Sequence, residues 1–563
     1  MPAPELGGGR ANLVLAGFSA TGKTTAGSMA AQLLGMPFVD LDRTAERRMG
    51  KSIVEAFSAL GETRFRELEA ELLAEAARLS GTVIATGGGS VLHPGFARLA
   101  AGAVTLVLSA PAAEIARRLE GDGTRPLISD QPELRIQDLM AERASAYAVY
   151  GAALETTTRS VPEVAELIAE RYLATSAASS VPLIVPGPSG PYPVVVAPYA
   201  LDGLDDVVAS TLTHAGRVVV ASDEAVRGSA GARVEEVLHR SGREVVSLTV
   251  GRGEASKQIS TVTDLWDRFQ ALGLDQGDLV IAVGGGAALD SVGFAAATWA
   301  RGVPWITVPS TILAMVDAAI GGKVAIDRAG AKNAVGAFHH PRAVVCSLEL
   351  LATLPAGSAR DGLAEVVKAA CLASPLLLDA LEHSQSLGDG LPAHLGWMIE
   401  QAVRIKAAYV AADPEDRALR QSLNLGHTYA HGLEAASGYQ VSHGRAVAVG
   451  LLAASRLGVS LSLTQAELPA RLQTALARMR LLEPLPPIPR DGVRAAIGLD
   501  KKSRGGTRAF VVPTAEGAVL LSGIDLELAL GSLWEVLEGQ PGSNAGDPPA
   551  PIPRPVRPEV VAP

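Results

Sequence analysis

Three histidines fall within the stretch SLNLGHTYAHGLEAASGYQVSHGRAVAVG, residues 422 to 450: His427, His431 and His443. The first two are four residues apart, which on a helix puts both rings on one face about a turn from each other. Neutral imidazoles so placed can ligate a divalent ion, and they can equally pack or pair, so the spacing alone leaves both readings open. Upstream, RDGLAEVVK carries Glu365 and Lys368 three residues apart, and RGVPWITVPSTILAMVDAAIGGK ends at Lys323, directly after two glycines and a long apolar run. A merely solvated lysine has no reason to sit there. The run VGGGAALD, residues 283 to 290, leads a buried-type strand into an apolar helix, and its glycines let a pyrophosphate approach the helix N-terminus. These distant segments read as one site.

A second chemistry opens the chain. NLVLAGFSATGKTTAGSMAAQLL runs from a short apolar strand through a turn into an apolar-periodic helix, and Gly17 to Thr24 match GxxxxGKT. Gly17, Ser19, Ala20, Thr21, Gly22, Lys23, Thr24 and Thr25 are therefore expected to bind ATP. Loop amides and the helix N-terminus would cradle its phosphates, Lys23 would reach the terminal ones, and the Thr24 hydroxyl would hold Mg2+. PFVDLDRTAE then places Asp40 and Asp42 in alternation at the end of an expected strand, pointing the same way, able to serve a metal and a substrate hydroxyl. Arg66 falls in a helical segment, and TVIATGGGSVL leads into Gly87, Gly88 and Gly89, where backbone can come close to a small ligand.

In this order, over residues 11 to 174, the pieces resemble shikimate kinase. The resemblance implies ATP-dependent phosphorylation of shikimate to shikimate 3-phosphate. It puts Asp42, Arg66, Gly87, Gly88, Gly89 and Arg143 (in AERASAY) around shikimate, with Asp42 orienting the attacking hydroxyl and Asp40 reaching the magnesium through water. It also implies a lid over the phosphates that carries Arg125, from GTRPLI. Guanidinium groups match a carboxylate bidentately, and phosphoryl transfer asks mainly for positioning and charge neutralisation.

Over about residues 190 to 530, the succession GEASK, GGGAALD, RG, PSTILAMVDAAIGGK, KNAVGAF, GLAEVVK, LNLGHTYAH and HG resembles 3-dehydroquinate synthase. The resemblance implies NAD+ against Asp223, Glu254, Lys257, Gly285, Gly286, Asp290, Ser310, Thr311, Asp317, Lys323, Lys332 and Thr353. It surrounds the substrate with Arg301, Asp317, Lys323, Asn333, Lys368, Lys406, Arg420, Asn424, His431, Lys501 and Lys502, of which Lys323, Lys368, Lys406, Arg420, Asn424 and His431 are expected to be catalytic. Glu365, His427 and His443 would hold zinc, or another divalent ion such as Co2+, leaving His431 for substrate or proton handling. The implied reaction converts 3-deoxy-D-arabino-heptulosonate 7-phosphate to 3-dehydroquinate with loss of phosphate. Hydride transfer to NAD+ makes a neighbouring proton acidic, phosphate leaves, the hydride returns, and ring opening with aldol closure follows. Three positions depart from the family pattern: Arg445 stands where an acid is usual, Ser347 where an Asp often stands, and Ser310 replaces the first of two threonines.

A chain of 563 residues predicts three or four domains. With 49 Lys plus Arg against 59 Asp plus Glu, charge favours neither nucleic acid nor an anionic membrane as partner, leaving small-molecule substrates. Two cysteines are too few for a disulfide framework, and MPAPELGGGR lacks the pattern of a signal peptide, so a cytoplasmic protein is expected. The fold class is α/β: a P-loop NTPase-type parallel-sheet domain over 1–174, a linker over 175–190, an α/β nucleotide-binding domain over 191–345, a mainly helical metal and substrate domain over 346–535, and a Pro-rich disordered tail over 536–563. A homodimer through the synthase part is the expected association. Two rival readings stand beside the fusion of two enzymes. The second part could be a metal-dependent polyol dehydrogenase, which would accumulate NADH, and the first a nucleotide- or shikimate-binding module without turnover.

Overall fold

The computed structural model describes residues 10–119, 132–176, 182–188, 190–212, 216–328, 331–384, 391–392, 394–499, 509–539 and 559–560. They form two compact units, one within Gly8–Val181 and one within Pro182–Pro563, each built on its own sheet.

In the first unit β1 (Asn12–Gly17), β2 (Phe38–Asp40), β3 (Val83–Ala85), β4 (Ala103–Ser109) and β5 (Leu154–Glu155) pair in parallel in the order β2-β3-β1-β4-β5. A parallel sheet is covered on both faces, which is why β1 reads as an unbroken apolar run and is buried throughout. Leu13 and Leu15 share a core with Ala30 of the Lys23–Leu34 helix and with Ile168 and Tyr172 of the Val161–Ser176 helix. The turn after β1 can enter that helix because Gly22 takes φ 94° at its N-cap, a conformation that favours glycine. The expected strand through PFVDLD stops at Asp40. Its carboxylate accepts the Arg43 N–H and caps the Leu41–Met49 helix, so Asp42 lies in a first helical turn and does not alternate with Asp40 along a strand.

In the second unit β6 (Leu183–Val185), β7 (Tyr192–Ala197), β8 (Val218–Asp223), β9 (Val245–Val250), β10 (Leu279–Gly284) and β11 (Trp305–Pro309) precede an antiparallel hairpin of β12 (Lys323–Arg328) and β13 (Ala331–Phe338), followed by β14 (Ala343–Ser347). The main sheet runs β6-β7-β14-β11-β10-β8-β9, parallel except at β6. From β8 the chain crosses to β9 on one side, and from β10 to β11 on the other. The order therefore reverses between β8 and β10, and a crevice opens beyond their carboxyl ends. The segment expected as a linker, 175–190, contains β6, and the boundary drawn at 345 falls inside β14.

Helices Ala356–Ala373, Leu395–Ala412, His427–Ala436 and His443–Ser460 follow, with an antiparallel sheet of β15 (Ala509–Thr514), β16 (Gly517–Ser522) and β17 (Glu559–Val560). The Leu526–Glu538 helix buries Leu533, Trp534 and Val536, so helix continues past the domain end expected at 535. Apart from residues 536–539 and β17, the expected tail lies outside the described residues. Among the described residues no helix is long and apolar enough to cross a membrane.

Candidate active sites

In the first unit Lys23 is 8% exposed and lies back across its own loop, donating to the Gly17 and Phe18 carbonyls at 2.8 Å each. The Thr24 hydroxyl donates to Asp40 Oδ2 at 2.6 Å, which sets side by side the two oxygens expected around magnesium. A cavity of about 410 Å3 is lined by Ala20 to Ala26, Asp40, Asp42, Arg118, Thr156 and Arg159. Beside it Asp42, Arg66 and Arg143 converge on the bare backbone of Gly87 to Gly89. A Cβ on Gly87 would lie 2.7 Å from Asp42 Oδ1, and one on Gly89 would lie 3.4 Å from Arg66 Nη1 and 4.0 Å from Arg143 Nη1. Arg143 and the Tyr147 hydroxyl both donate to the Gly88 carbonyl, at 2.8 and 2.7 Å, and Glu69 holds Arg66 at 2.6 Å. Two guanidiniums and a carboxylate around open backbone suit a small polyhydroxylated acid. Nothing in the sequence marks Arg118, which donates to the Ala20 carbonyl at 3.1 Å and so braces the phosphate loop. Arg125 lies outside the described residues.

In the second unit the dinucleotide candidates line the carboxyl edge of the sheet. Asp223 ends β8, Glu254 and Lys257 follow β9, Gly285 and Gly286 start the helix after β10, Ser310 and Thr311 follow β11, and Thr353 lies beyond β14. Lys257 donates to Asp290 at 2.6 Å and also to Asn333, while Lys332 lies 3.5 Å from Glu254. Asn333, expected against the substrate, is thus tied to the nucleotide candidates. Burial, only partly offset by Lys257, raises the Asp290 carboxyl to about 6. The Ser222 and Ser310 hydroxyls are buried with no hydrogen-bond partner, and Ser222 faces the backbone at Gly231.

The histidines meet a carboxylate. Glu365, on the Ala356–Ala373 helix, is 2% exposed, and its Oε1 lies 3.5 Å from Nε2 of both His427 and His443. Ligand atoms of the three lie within 4.8 Å of one another, and no hydrogen bond of good geometry reaches either Glu365 oxygen. A buried carboxylate, ion-paired to Lys368 and with two imidazole nitrogens aimed at it, fits a divalent ion that keeps open positions. His431 stands beside the group, its ring centroid 5.7 Å from that of His427, and is not one of the three.

Around this group the candidate lysines are matched to acids: Lys368 to Glu365, Lys406 to Asp317, and Lys323 to Asp416 at 2.5 Å. Arg420, 2% exposed, donates to the Gly321 and Pro414 carbonyls at 3.1 and 2.9 Å. Asn424 closes the turn that precedes His427. Burial lowers the Lys406 ammonium to about 8, with Asp317 opposing it. Burial would raise Asp317, but Lys406 and Lys368 overcome it and hold that carboxyl well below the usual range. Burial, then Lys368, holds His427 well below its ordinary value, leaving it neutral and able to ligate. Burial also pulls His443 down, but the facing carboxylates of Glu365 and Glu434 together push it up to about 10.

Arg301 is not brought to this group. It follows the Gly286–Thr298 helix, whose length carries it roughly 18 Å from Gly286, to the amino-terminal side of β11, where it is exposed. Lys501 and Lys502 lie outside the described residues. Arg445 turns away from the histidines, donating to the Glu483 and Pro484 carbonyls at 2.6 and 2.5 Å. Ser347 donates to Glu349 at 2.8 Å and accepts the Leu201 N–H, a structural role at the end of β14. Asp416 is a site acid that sequence reasoning does not find, since a loop position carries no periodic signal. Glu434 does carry one, three residues after His431 on the same helical face.

Residues 19–174 match the family model described as shikimate kinase, and residues 247–361 and 362–503 those described as 3-dehydroquinate synthase N-terminal and C-terminal. The chain is 41% identical over 358 residues to a 3-dehydroquinate synthase from Thermobifida fusca (strain YX), a match spanning 61% of this chain and 94% of that relative. It is 39% identical over 333 residues to a 2-epi-valiolone synthase from Actinosynnema mirum, spanning 58% and 87%. Among solved structures, a 2-epi-5-epi-valiolone synthase from Streptomyces hygroscopicus subsp. jinggangensis 5008, with NAD+ and Zn2+ bound, is similar at TM-score 0.55 and 27% identity, over 62% of this chain and 97% of that one. The chain therefore belongs to the 3-dehydroquinate synthase family and carries a shikimate kinase domain ahead of its synthase part, a fusion of two shikimate-pathway enzymes.

Proposed function

We propose that the second unit converts 3-deoxy-D-arabino-heptulosonate 7-phosphate to 3-dehydroquinate with a divalent ion on Glu365, His427 and His443 and NAD+ along the carboxyl edge of the sheet, and that the first unit phosphorylates shikimate from ATP and Mg2+. The observation that carries the reading is the convergence of two Nε2 atoms on one buried carboxylate amid paired lysines. When bound, the ion supplies Lewis acidity at the reacting hydroxyl and NAD+ a reversible hydride acceptor. Lys323, Lys406 and Arg420 form the anion-binding set. Asp416 and Asp317 hold the two ammonium groups in place until a phosphate or carboxylate oxygen replaces them. Lys368 keeps Glu365 ionised, and His431 holds or moves a substrate proton one helical turn from His427. In the first unit Arg66 and Arg143 clamp the shikimate carboxylate, Asp42 orients the hydroxyl, and Lys23 neutralises phosphate charge.

Identity to the 2-epi-valiolone synthase is nearly as high as to the 3-dehydroquinate synthase, so the product decides between them. A kinase domain for shikimate on the same chain favours 3-dehydroquinate. The test is product analysis of the purified chain with each substrate, with and without ATP, NAD+ and a chelator. We expect 3-dehydroquinate and shikimate 3-phosphate. Net NADH accumulation would return the polyol dehydrogenase reading, and absence of ATP-dependent phosphorylation the binding-module reading. A cytoplasmic location accords with the two unpaired cysteines, Cys346 and Cys371, and association of copies through the synthase unit is to be read from light scattering.

A further inference from the structure

The two histidine ligands are oriented by different means. His427 turns Nδ1 to the Leu425 carbonyl at 3.1 Å, a backbone acceptor that no substitution removes. His443 is the first residue of its helix, and its side chain is 30% exposed. Ser442, just before it, commits its hydroxyl to Asp361 at 2.6 Å. The group that faces Nδ1 of His443 is Glu434 Oε1 at 3.5 Å, while Nε2 on the far side of the ring is 3.5 Å from Glu365. A shift of about 0.5 Å brings the Glu434 contact to hydrogen-bond length. Glu434 is only 7% exposed and follows His427 by seven residues and His431 by three, so His427, His431 and Glu434 form one stripe along the His427–Ala436 helix. Lys332 of the β12–β13 hairpin and His431 face the same carboxylate.

We propose that Glu434 is a positioning residue for the metal ligand His443: it accepts the Nδ1–H, fixes the tautomer and turns Nε2 toward the point shared with Glu365 and His427. A ligating imidazole whose other nitrogen donates to a carboxylate is both aimed and made more basic, and losing such a partner typically weakens metal binding 10- to 100-fold. The acid lies seven residues beyond His427 on its own helix, so Arg445 after His443 leaves the arrangement intact. The inference rests on Glu365, His427 and His443 being the ligands.

The experiment measures Zn2+ affinity of the metal-free full chain by competition with a chromophoric chelator, and the visible spectrum of the Co2+-loaded chain, for the parent, His443→Ala, Glu434→Gln and Glu434→Ala. Shikimate kinase rate and the melting temperature of the metal-free chain serve as controls for folding. We expect His443→Ala to lose Zn2+ binding and Glu434→Ala to bind about 10- to 100-fold more weakly with an altered Co2+ spectrum. Glu434→Gln, whose amide oxygen still accepts the proton but lacks the charge, should fall about 10-fold with a spectrum near the parent's. Parent-like affinity and spectrum in Glu434→Ala, with binding lost in His443→Ala, would overturn the role of Glu434 alone. Parent-like affinity in His443→Ala would overturn the ligand assignment beneath it. If Glu434→Ala does not melt cooperatively, Glu434→Gln decides: affinity equal to the parent's overturns the proposal.

Discussion

Gly444→Ala tests how closely the helix that begins at His443 must approach the helix that carries Glu365. The single added methyl would press on the Cα and carbonyl oxygen of Asp361 and lie 2.6 Å from its carbonyl carbon, where 3.4 Å begins ordinary contact. All three are backbone atoms, so no side chain can swing aside and the helices must separate by about 1 Å. Overpacking of this kind costs about 1–3 kcal/mol. The larger effect is expected on chemistry, because His443 adjoins the intruding methyl and Glu365 lies one helical turn from Asp361, so the two ligands move apart directly. A misplacement of about 1 Å in such a site lowers turnover on the order of 100-fold. The assay is 3-dehydroquinate formation and bound Zn2+ in Gly444→Ala, with shikimate phosphorylation by the same chain as internal control. We expect synthase activity and metal content to fall together while the kinase rate holds. Parent levels of both synthase turnover and zinc would refute the claim that this close helix contact sets the metal site.

Lys23→Ala is expected to abolish shikimate phosphorylation and leave 3-dehydroquinate formation at the parent rate, measured in separate assays on one preparation, since Lys23 belongs to the first compact unit. His431→Ala should lower synthase turnover by about 100-fold or more while one Zn2+ per chain remains by metal analysis, whereas His443→Ala should lose both. The reverse pattern would make His427 and His431 the ligand pair. Lys406, lowered to about 8, is charged below that pH and loses its proton above it, so synthase kcat/KM for an anionic substrate should decline as pH rises through about 8. Lys406→Arg, which stays charged, should remove that alkaline limb, and an unchanged limb would assign it to another group. For stability the sign is opposite: the unfolded chain binds the Lys406 proton more tightly, so the cost of burying this charge, full below pH 8, is relieved as pH climbs from about 8 toward the ordinary lysine value.

The phosphate loop was legible because its constraints lie in eight consecutive residues, Gly17 to Thr24, flanked by a strand run and a helix run that each announce their period. His427 and His431 were legible for the same reason, since one helical turn joins them. Where a residue type serves two local structures, the pattern misled: Asp40 ends a strand and caps a helix, and capping moved Asp42 off the expected alternation. The three-residue strand β6 is too short to show a period, and its pairing with β7 is what defines it. Family resemblance supplied Glu365 as a partner for the histidines, but only packing of the Ala356–Ala373 helix against the His443–Ser460 helix brings its carboxylate within reach of both Nε2 atoms. Pairings such as Lys323 with Asp416, 93 residues apart, or His443 with Glu434 across two helices, follow from where folded backbones pass one another. The sequence alone determines local periods and the types of chemistry available, because these are set by neighbours along the chain. Which acid meets which base is decided by the tertiary structure, because a side chain's reach is a few ångströms and only the packed fold brings distant segments within it.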